Sequence, residues 1–353
     1  MVSTYSAPIA IVLLLLSGTA VADRSLSLKL TSSSKSSSTI RATLTNTGSE
    51  QLKLLNDPRS LLSLAPTDSF IFTSDDEFYP SFTGMKLKYS LKYTAKNGDG
   101  SSYTILNPKE AIEIDHDLSD AYTFGSREYL YGVAAQNKFY HWDDSTGQFE
   151  AVDAKVLSTT AKIVAPSSRK ARTAVEKRAQ FTQCTTAQQA TLAKATTTAD
   201  IFAKVAAGSL ANFTTNGGPL YQPWFGAFSA DRYKNATTHF NNVAKNSFNT
   251  YTYDCKPADC PDENTYAYVY PDIFGTIHLC NAFWKSALVG EDSQAGTLVH
   301  ESTHFTVIAG TKDFAYGRTS AEKLAATNPV QALGNADNHE YFAETSFDMF
   351  GKK

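Results

Sequence analysis

His300-Glu-Ser-Thr-His304 forms an HExxH pattern, and Gly310-Thr-Lys-Asp-Phe-Ala-Tyr-Gly317 follows it, with Asp313 nine positions after His304. Residues i and i+4 share a helical face, so a helix through this stretch points both imidazoles at one ion. Glu301 then lies beside that ion, where a carboxylate can take a proton from activated water. The flanks strengthen the reading: Ala295-Gly-Thr-Leu-Val299 precedes the first histidine, and Phe305, Val307 and Ile308 follow the second. A helix with that much apolar surface is buried, and its ionisable groups need partners or a metal. Gly310 suits the helix C-terminus, and a loop starting at Thr311 can return Asp313 to the same ion. The stretch reads as a zinc hydrolase site, most simply a peptidase.

Catalytic zinc takes three protein ligands and keeps one position open. The long metzincin pattern is excluded, because Val307 and Gly310 stand where its glycine and third histidine belong. Glu322 has roughly the spacing of a thermolysin-like third ligand, but reads better as an exposed helical side chain beside Lys323. Asp313 is preferred, since it lies in a glycine-bounded loop with aromatic neighbours. Tyr316, three residues further on, carries a phenol able to donate to a developing oxyanion. A packed aromatic is the competing reading in a chain with 18 tyrosines.

The chain of 353 residues is long enough for two domains. Ile9–Leu16 is an apolar run too short to span a bilayer, and Ala20-Val-Ala22 offers a small-residue cleavage site, so residues 1–22 read as a signal peptide. No later run reaches transmembrane length. The first half alternates in strand fashion: Ser25-Leu-Ser-Leu-Lys-Leu30, Thr39-Ile-Arg-Ala-Thr-Leu-Thr45, Gln51-Leu-Lys-Leu-Leu55 and Lys86-Leu-Lys-Tyr-Ser-Leu-Lys-Tyr93. An antiparallel, sandwich-like all-β region over 23–178 is expected. Its end, 166–178, is polar and basic and reads as an exposed linker closing on the dibasic pair Lys177-Arg178, where maturation is expected.

Residues 179–353 read as the catalytic domain, mainly helical, so that the whole chain is α+β. Helices are expected over Ala187–Ala206, Tyr233–Ala244 and Ala336–Thr345, and strands over Tyr266–Tyr270 and Thr276–Leu279. All four cysteines, Cys184, Cys255, Cys260 and Cys280, lie in this half. In an exported protein they form two disulfides with three possible connectivities, and the spacing does not choose among them. The Cys255–Cys260 interval does not suit a zinc knuckle. Asn212-Phe-Thr and Asn235-Ala-Thr are acceptor sequences for glycans.

Net charge is only −3, from 32 Lys and Arg against 35 Asp and Glu, so no bulk field points to nucleic acid or a membrane surface. Specificity must come from local groups. Asp337 and Glu340 stand three apart, close enough on a helix to face one pocket, and two carboxylates favour a compact substrate ammonium. Acids in a first helical turn, suited to the helix dipole, are the competing reading. His339 reads as a surface or supporting side chain, not a ligand, and His278 as structural.

HExxH followed without a gap by GTxDxxYG resembles the aspzincin (deuterolysin-type) zinc metalloendopeptidases, most of all the fungal peptidyl-Lys metalloendopeptidases. The resemblance runs from about Phe181 to Phe342 and includes Ala267-Tyr-Val-Tyr-Pro-Asp-Ile-Phe-Gly-Thr276, Leu279-Cys-Asn-Ala-Phe-Trp-Lys285 and Asn335-Ala-Asp-Asn-His-Glu-Tyr-Phe342. It implies one Zn2+ held by His300, His304 and Asp313, Glu301 as general base, and Tyr316 as oxyanion donor. It also implies disulfides Cys184–Cys255 and Cys260–Cys280, and Asp337 and Glu340 as the pocket for a lysine on the amine side of the cut bond. Broader deuterolysins share Asn335-Ala-Asp337 but lack the acid at position 340, which makes Glu340 the discriminating residue.

The expected protein is therefore a secreted proenzyme that cuts lysine-containing proteins and peptides, with its pro-region as intramolecular inhibitor or folding aid. A broad-specificity deuterolysin-like endopeptidase is the alternative. A non-catalytic secreted binding protein with a decayed zincin domain is the third reading, and the intact Glu301 and Asp313 argue against it.

Overall fold

Alternation in the first half becomes a seven-stranded sheet in a computed structural model of the chain, which describes residues 23–33, 36–74, 78–124, 130–158, 161–164 and 180–351. The expected signal peptide and the expected linker at 166–178 lie outside the described residues. The sheet runs in the order Tyr103–Leu106, Leu52–Leu55, Lys138–Asp143, Gln148–Ser158, Leu26–Ser32, Thr39–Asn46, Ala111–Asp117. A three-stranded sheet of Ala161–Val164, Leu130–Ala135 and Phe70–Thr73 faces it, and Leu28, Ile40, Leu54 and Phe139 meet Tyr131, Val133 and Ile163 in one core. The arrangement is sandwich-like with two departures from expectation. Leu26–Ser32 pairs in parallel with Gln148–Ser158, so the sheet is mixed. Lys86-Leu-Lys-Tyr-Ser-Leu-Lys-Tyr93 is not one strand: strand Lys86–Tyr89 ends at Ser90, whose hydroxyl accepts from the Tyr93 N–H and caps a helix, Leu91–Asn97.

The second half is built on helices. Thr186–Asn212, capped at Thr185 with Gln188 in a reciprocal pair of hydrogen bonds, packs against Ala230–Lys245, Gln294–His304 and Ala336–Ser346. Their apolar faces join in one core that includes Phe202, Trp224, Phe240, Leu298 and Phe342. The helix Gln294–His304 is buried at every residue. Gly296 lets it approach Ala336–Ser346 closely, because a Cβ there would lie 2.1 Å from Glu344 Oε1. That same Glu344 oxygen accepts from the N–H and hydroxyl of Ser293, the residue capping the buried helix.

One sheet joins the halves. Gln180–Thr182, Thr252–Asp254, Thr276–Leu279 and Thr265–Val269 are its strands from the second half, and Lys86–Tyr89 from the first half is its outer strand. The pairing is antiparallel, Lys86 opposite Val269, Leu87 opposite Tyr268 and Lys88 opposite Ala267. Around it Met85, Leu87 and Tyr89 pack with Tyr268, Tyr270 and Tyr316. The disulfides are Cys184–Cys255 and Cys260–Cys280.

Candidate active site

The buried helix presents His300 and His304 one turn apart, and their Nε2 atoms lie 3.2 Å from each other. Asp313 Oδ1 lies 3.3 Å from both. The loop carrying Asp313 is clamped by Asn335, whose side-chain oxygen accepts from the N–H groups of Phe314 and Ala315 at 2.8 and 3.1 Å. Lys312 adds a bridge to the same residue. Sequence reasoning missed the Asn335 role, because a side chain that bonds loop backbone leaves no periodic pattern.

Hydrogen bonding fixes both tautomers. The His304 Nδ1–H donates to the Thr311 carbonyl at 3.0 Å, and the His300 Nδ1–H faces Asp337 Oδ1 at 2.9 Å and Glu340 Oε2 at 3.1 Å. Both Nε2 atoms therefore converge on the Asp313 carboxylate. Burial works against charging His300, yet the carboxylates of Asp313, Asp337 and Glu340 outweigh it and hold its pKa well above the ordinary value. Three such atoms about 3.3 Å apart need a proton on a ring or a cation between them. Zinc–nitrogen bonds of ~2.0–2.1 Å in a tetrahedron put neighbouring ligand atoms ~3.3 Å apart. The donor set fits zinc, and the histidine–carboxylate pairing behind His300 is the usual support for such a ligand. Chelator treatment is expected to lower the melting temperature, since an ion in thousandfold excess over its Kd stabilises a fold by ~4 kcal/mol. Calorimetry with and without zinc checks this.

Glu301 is fully buried. Its Oε1 accepts from the backbone N–H of Lys88 at 2.9 Å, while Oε2 has no hydrogen-bond partner among the described residues. Burial, opposed by nearby His300, pushes its carboxyl pKa well up, the direction that suits a group exchanging protons. Tyr316 is also buried. Its hydroxyl donates to the Leu87 carbonyl at 2.8 Å, and the Arg59 guanidinium sits 4.2 Å from its ring centre.

Asp337 and Glu340, from the first turns of helix Ala336–Ser346, face one pocket, and a third acid completes it. Asp292 takes part from the loop before the buried helix, with φ of 55°, a left-handed conformation uncommon outside glycine. The Lys88 ammonium lies 2.9 Å from Asp292, 3.2 Å from Asp337 and 2.7 Å from Glu340, with no solvent exposure. Burial opposes its charge, and the three carboxylates more than offset this, holding the pKa well above that of free lysine. His300, Asp337 and Glu340 also lie close enough to bind an ion. In this structure the Lys88 ammonium lies beside Asp337 and Glu340 instead. Asp337 reaches further, accepting from the Gly317 N–H at 2.6 Å. Asp292 sits in a loop without periodicity; it opens the family-like stretch Asp292–Glu301, but its contact with Lys88 shows only in space.

Glu322 is half-buried on Arg318–Thr327 and pairs with Arg318. His339 is buried, not at the surface. Its Nδ1–H donates to the Asn335 carbonyl and its Nε2 accepts from His239, while burial and His239 push its pKa down to about 3. His278 stacks on Tyr268 and pairs with Asp254. Among the described residues, no helix is long and apolar enough to cross a membrane.

The family model described as lysine-specific metallo-endopeptidase, the aspzincin family, matches residues 210–344. A peptidyl-Lys metalloendopeptidase of Armillaria mellea is 40% identical over 308 residues, covering 87% of each chain. One from Grifola frondosa is 38% identical over 86% of this chain and 87% of its own. An extracellular protease of Aeromonas hydrophila is 32% identical over 87% and 88%. The solved zinc peptidase from Grifola frondosa is 44% identical, covering 46% of this chain and 97% of its own, with a TM-score of 0.44. The chain belongs to the aspzincin family of zinc metalloendopeptidases.

Proposed function

We propose that this endopeptidase cuts peptide bonds on the amino side of lysine, and that it is exported as a proenzyme. In this reading residues 1–22 are a signal peptide, 23–178 the pro-region and 179–353 the catalytic domain. His300, His304 and Asp313 hold one zinc ion, which when bound polarises the scissile carbonyl and acidifies water. Glu301 takes the water proton and passes it to the leaving amine. Tyr316 donates to the carbonyl oxygen as charge develops there. Asp337, Glu340 and Asp292 hold the substrate ammonium.

The observation that carries the reading is Lys88. Its ammonium is enclosed by three carboxylates while its own backbone N–H meets Glu301. A buried lysine is costly unless paired, and the same acids are costly without a cation, so the pocket is preorganised for this one side chain. Its presence in the cleft also supports a pro-region that covers the site before maturation. The test is a pair of peptides differing only in lysine or norleucine after the scissile bond, assayed with processed enzyme and with chelator. Chelator-sensitive cleavage with a strong preference for the lysine peptide is expected; equal cleavage of both would leave the broad-specificity reading. Tyr316→Phe is expected to lower kcat by roughly 10²–10³-fold, the usual cost of removing one oxyanion donor. Steady-state kinetics on the lysine peptide read this out, and an unchanged kcat removes the phenol from the mechanism.

A further inference from the structure

Three contacts of different kinds converge on one peptide bond of the chain itself. The Leu87 carbonyl accepts from the Tyr316 hydroxyl at 2.8 Å. The Lys88 N–H, on the other side of the same amide, donates to Glu301 at 2.9 Å. The side chain that follows that nitrogen fills the carboxylate pocket. A hydrolytic site has to grip the carbonyl oxygen, face the leaving nitrogen and select the residue that supplies it. All three demands are met on Leu87–Lys88, and the antiparallel pairing with Thr265–Val269 holds the segment extended, as peptide strands added to a sheet edge are held.

We propose that Leu87–Lys88 is the protein's own first substrate bond, cut in cis by the centre it covers. The inference rests on the lysine-directed function proposed above. The hydrolysis balances simply. The oxygen of one water bonds to the Leu87 carbonyl carbon, the Leu87–Lys88 C–N bond breaks, and both water protons end on the Lys88 nitrogen. The products are a Leu87 carboxylate and a Lys88 α-ammonium. Neighbouring lysines are not presented in this way: Lys86 pairs with Asp68, and Lys92 is an exposed helical residue paired with Glu291.

The cut does not by itself release the pro-region. Strands Leu26–Ser32, Thr39–Asn46 and Leu52–Leu55 before the bond interleave in one sheet with Tyr103–Leu106, Lys138–Asp143, Gln148–Ser158 and Ala111–Asp117 after it. The two pieces are expected to stay together in native buffer and to separate in denaturant.

The test starts from full-length chain purified in chelator. In that metal-free protein, acetylation with an amine reagent should spare Lys88 while modifying Lys92. Zinc is then added, and products are followed by mass spectrometry in denaturant at two protein concentrations, while separately processed enzyme is given a lysine-containing peptide as external substrate. A fragment beginning at Lys88 is expected, with a half-time unchanged by tenfold dilution and absent in Glu301→Gln. If the peptide is cut while Leu87–Lys88 stays whole, the inference fails and the proposed function stands; if neither is cut, both fail. A half-time that lengthens on dilution, or Lys88 labelled as fast as Lys92, also overturns the inference.

Discussion

Glu301→Gln is expected to keep one zinc per chain and to lose about 10³-fold in turnover, within the range usual for a missing general base. The side chain is outside the proposed ligand set of His300, His304 and Asp313, so metal affinity should change little. Glutamine preserves shape and can still accept from a backbone N–H as Glu301 does from Lys88. What it loses is the ability to take a proton. Glu301 Oε2 is buried without a partner among the described residues, and an uncompensated buried carboxylate oxygen is an expense the fold does not need for stability. Zinc content by atomic absorption, measured beside kcat, separates the outcomes: activity lost with zinc retained fits a base, whereas zinc lost as well would make Glu301 part of the metal site.

Glu340→Ala should act on selectivity. The carboxylate is fully buried and gives the shortest contact to the Lys88 ammonium. Removing one partner of a buried charge pair costs ~2–5 kcal/mol, or about 30- to 5,000-fold in kcat/KM. That loss should fall on peptides with lysine after the scissile bond and leave a norleucine peptide nearly unchanged. His300 keeps Asp337 at 2.9 Å as acceptor for its Nδ1–H, so the metal side of the site should survive. A uniform loss on both peptides would mean that Glu340 supports the histidine, not the pocket.

The parts of this site set by helical spacing were readable in advance. His300 and His304 share a face because of the i,i+4 interval, and Asp337 and Glu340 because of i,i+3. Loop geometry was legible only for Asp313, through the glycines around it. Asp292 escaped because nothing in a nonperiodic loop announces a left-handed backbone or a carboxylate turned inward. The strand Lys86–Tyr89 teaches a different lesson. Alternation identified it as a strand and set the lysines on the face opposite Leu87. Both Lys86 and Lys88 are buried. Period-two patterning says which residues share a face but not which sheet the strand joins or what that face meets. In the same run, Ser90 as a cap outweighed the continuing alternation and turned Leu91–Asn97 into helix. Surface and supporting roles for His339 were left open because one polar residue on a helix gives no sign of a partner such as His239 on another helix.

The proposed specificity requires a lysine ammonium held beside the peptide nitrogen that faces Glu301. Digestion of one unfolded protein of known sequence by the processed enzyme, with identification of every new amino terminus, tests it most directly. Termini that begin with lysine, and vanish with chelator, are the predicted result. New termini spread over many residue types would contradict it.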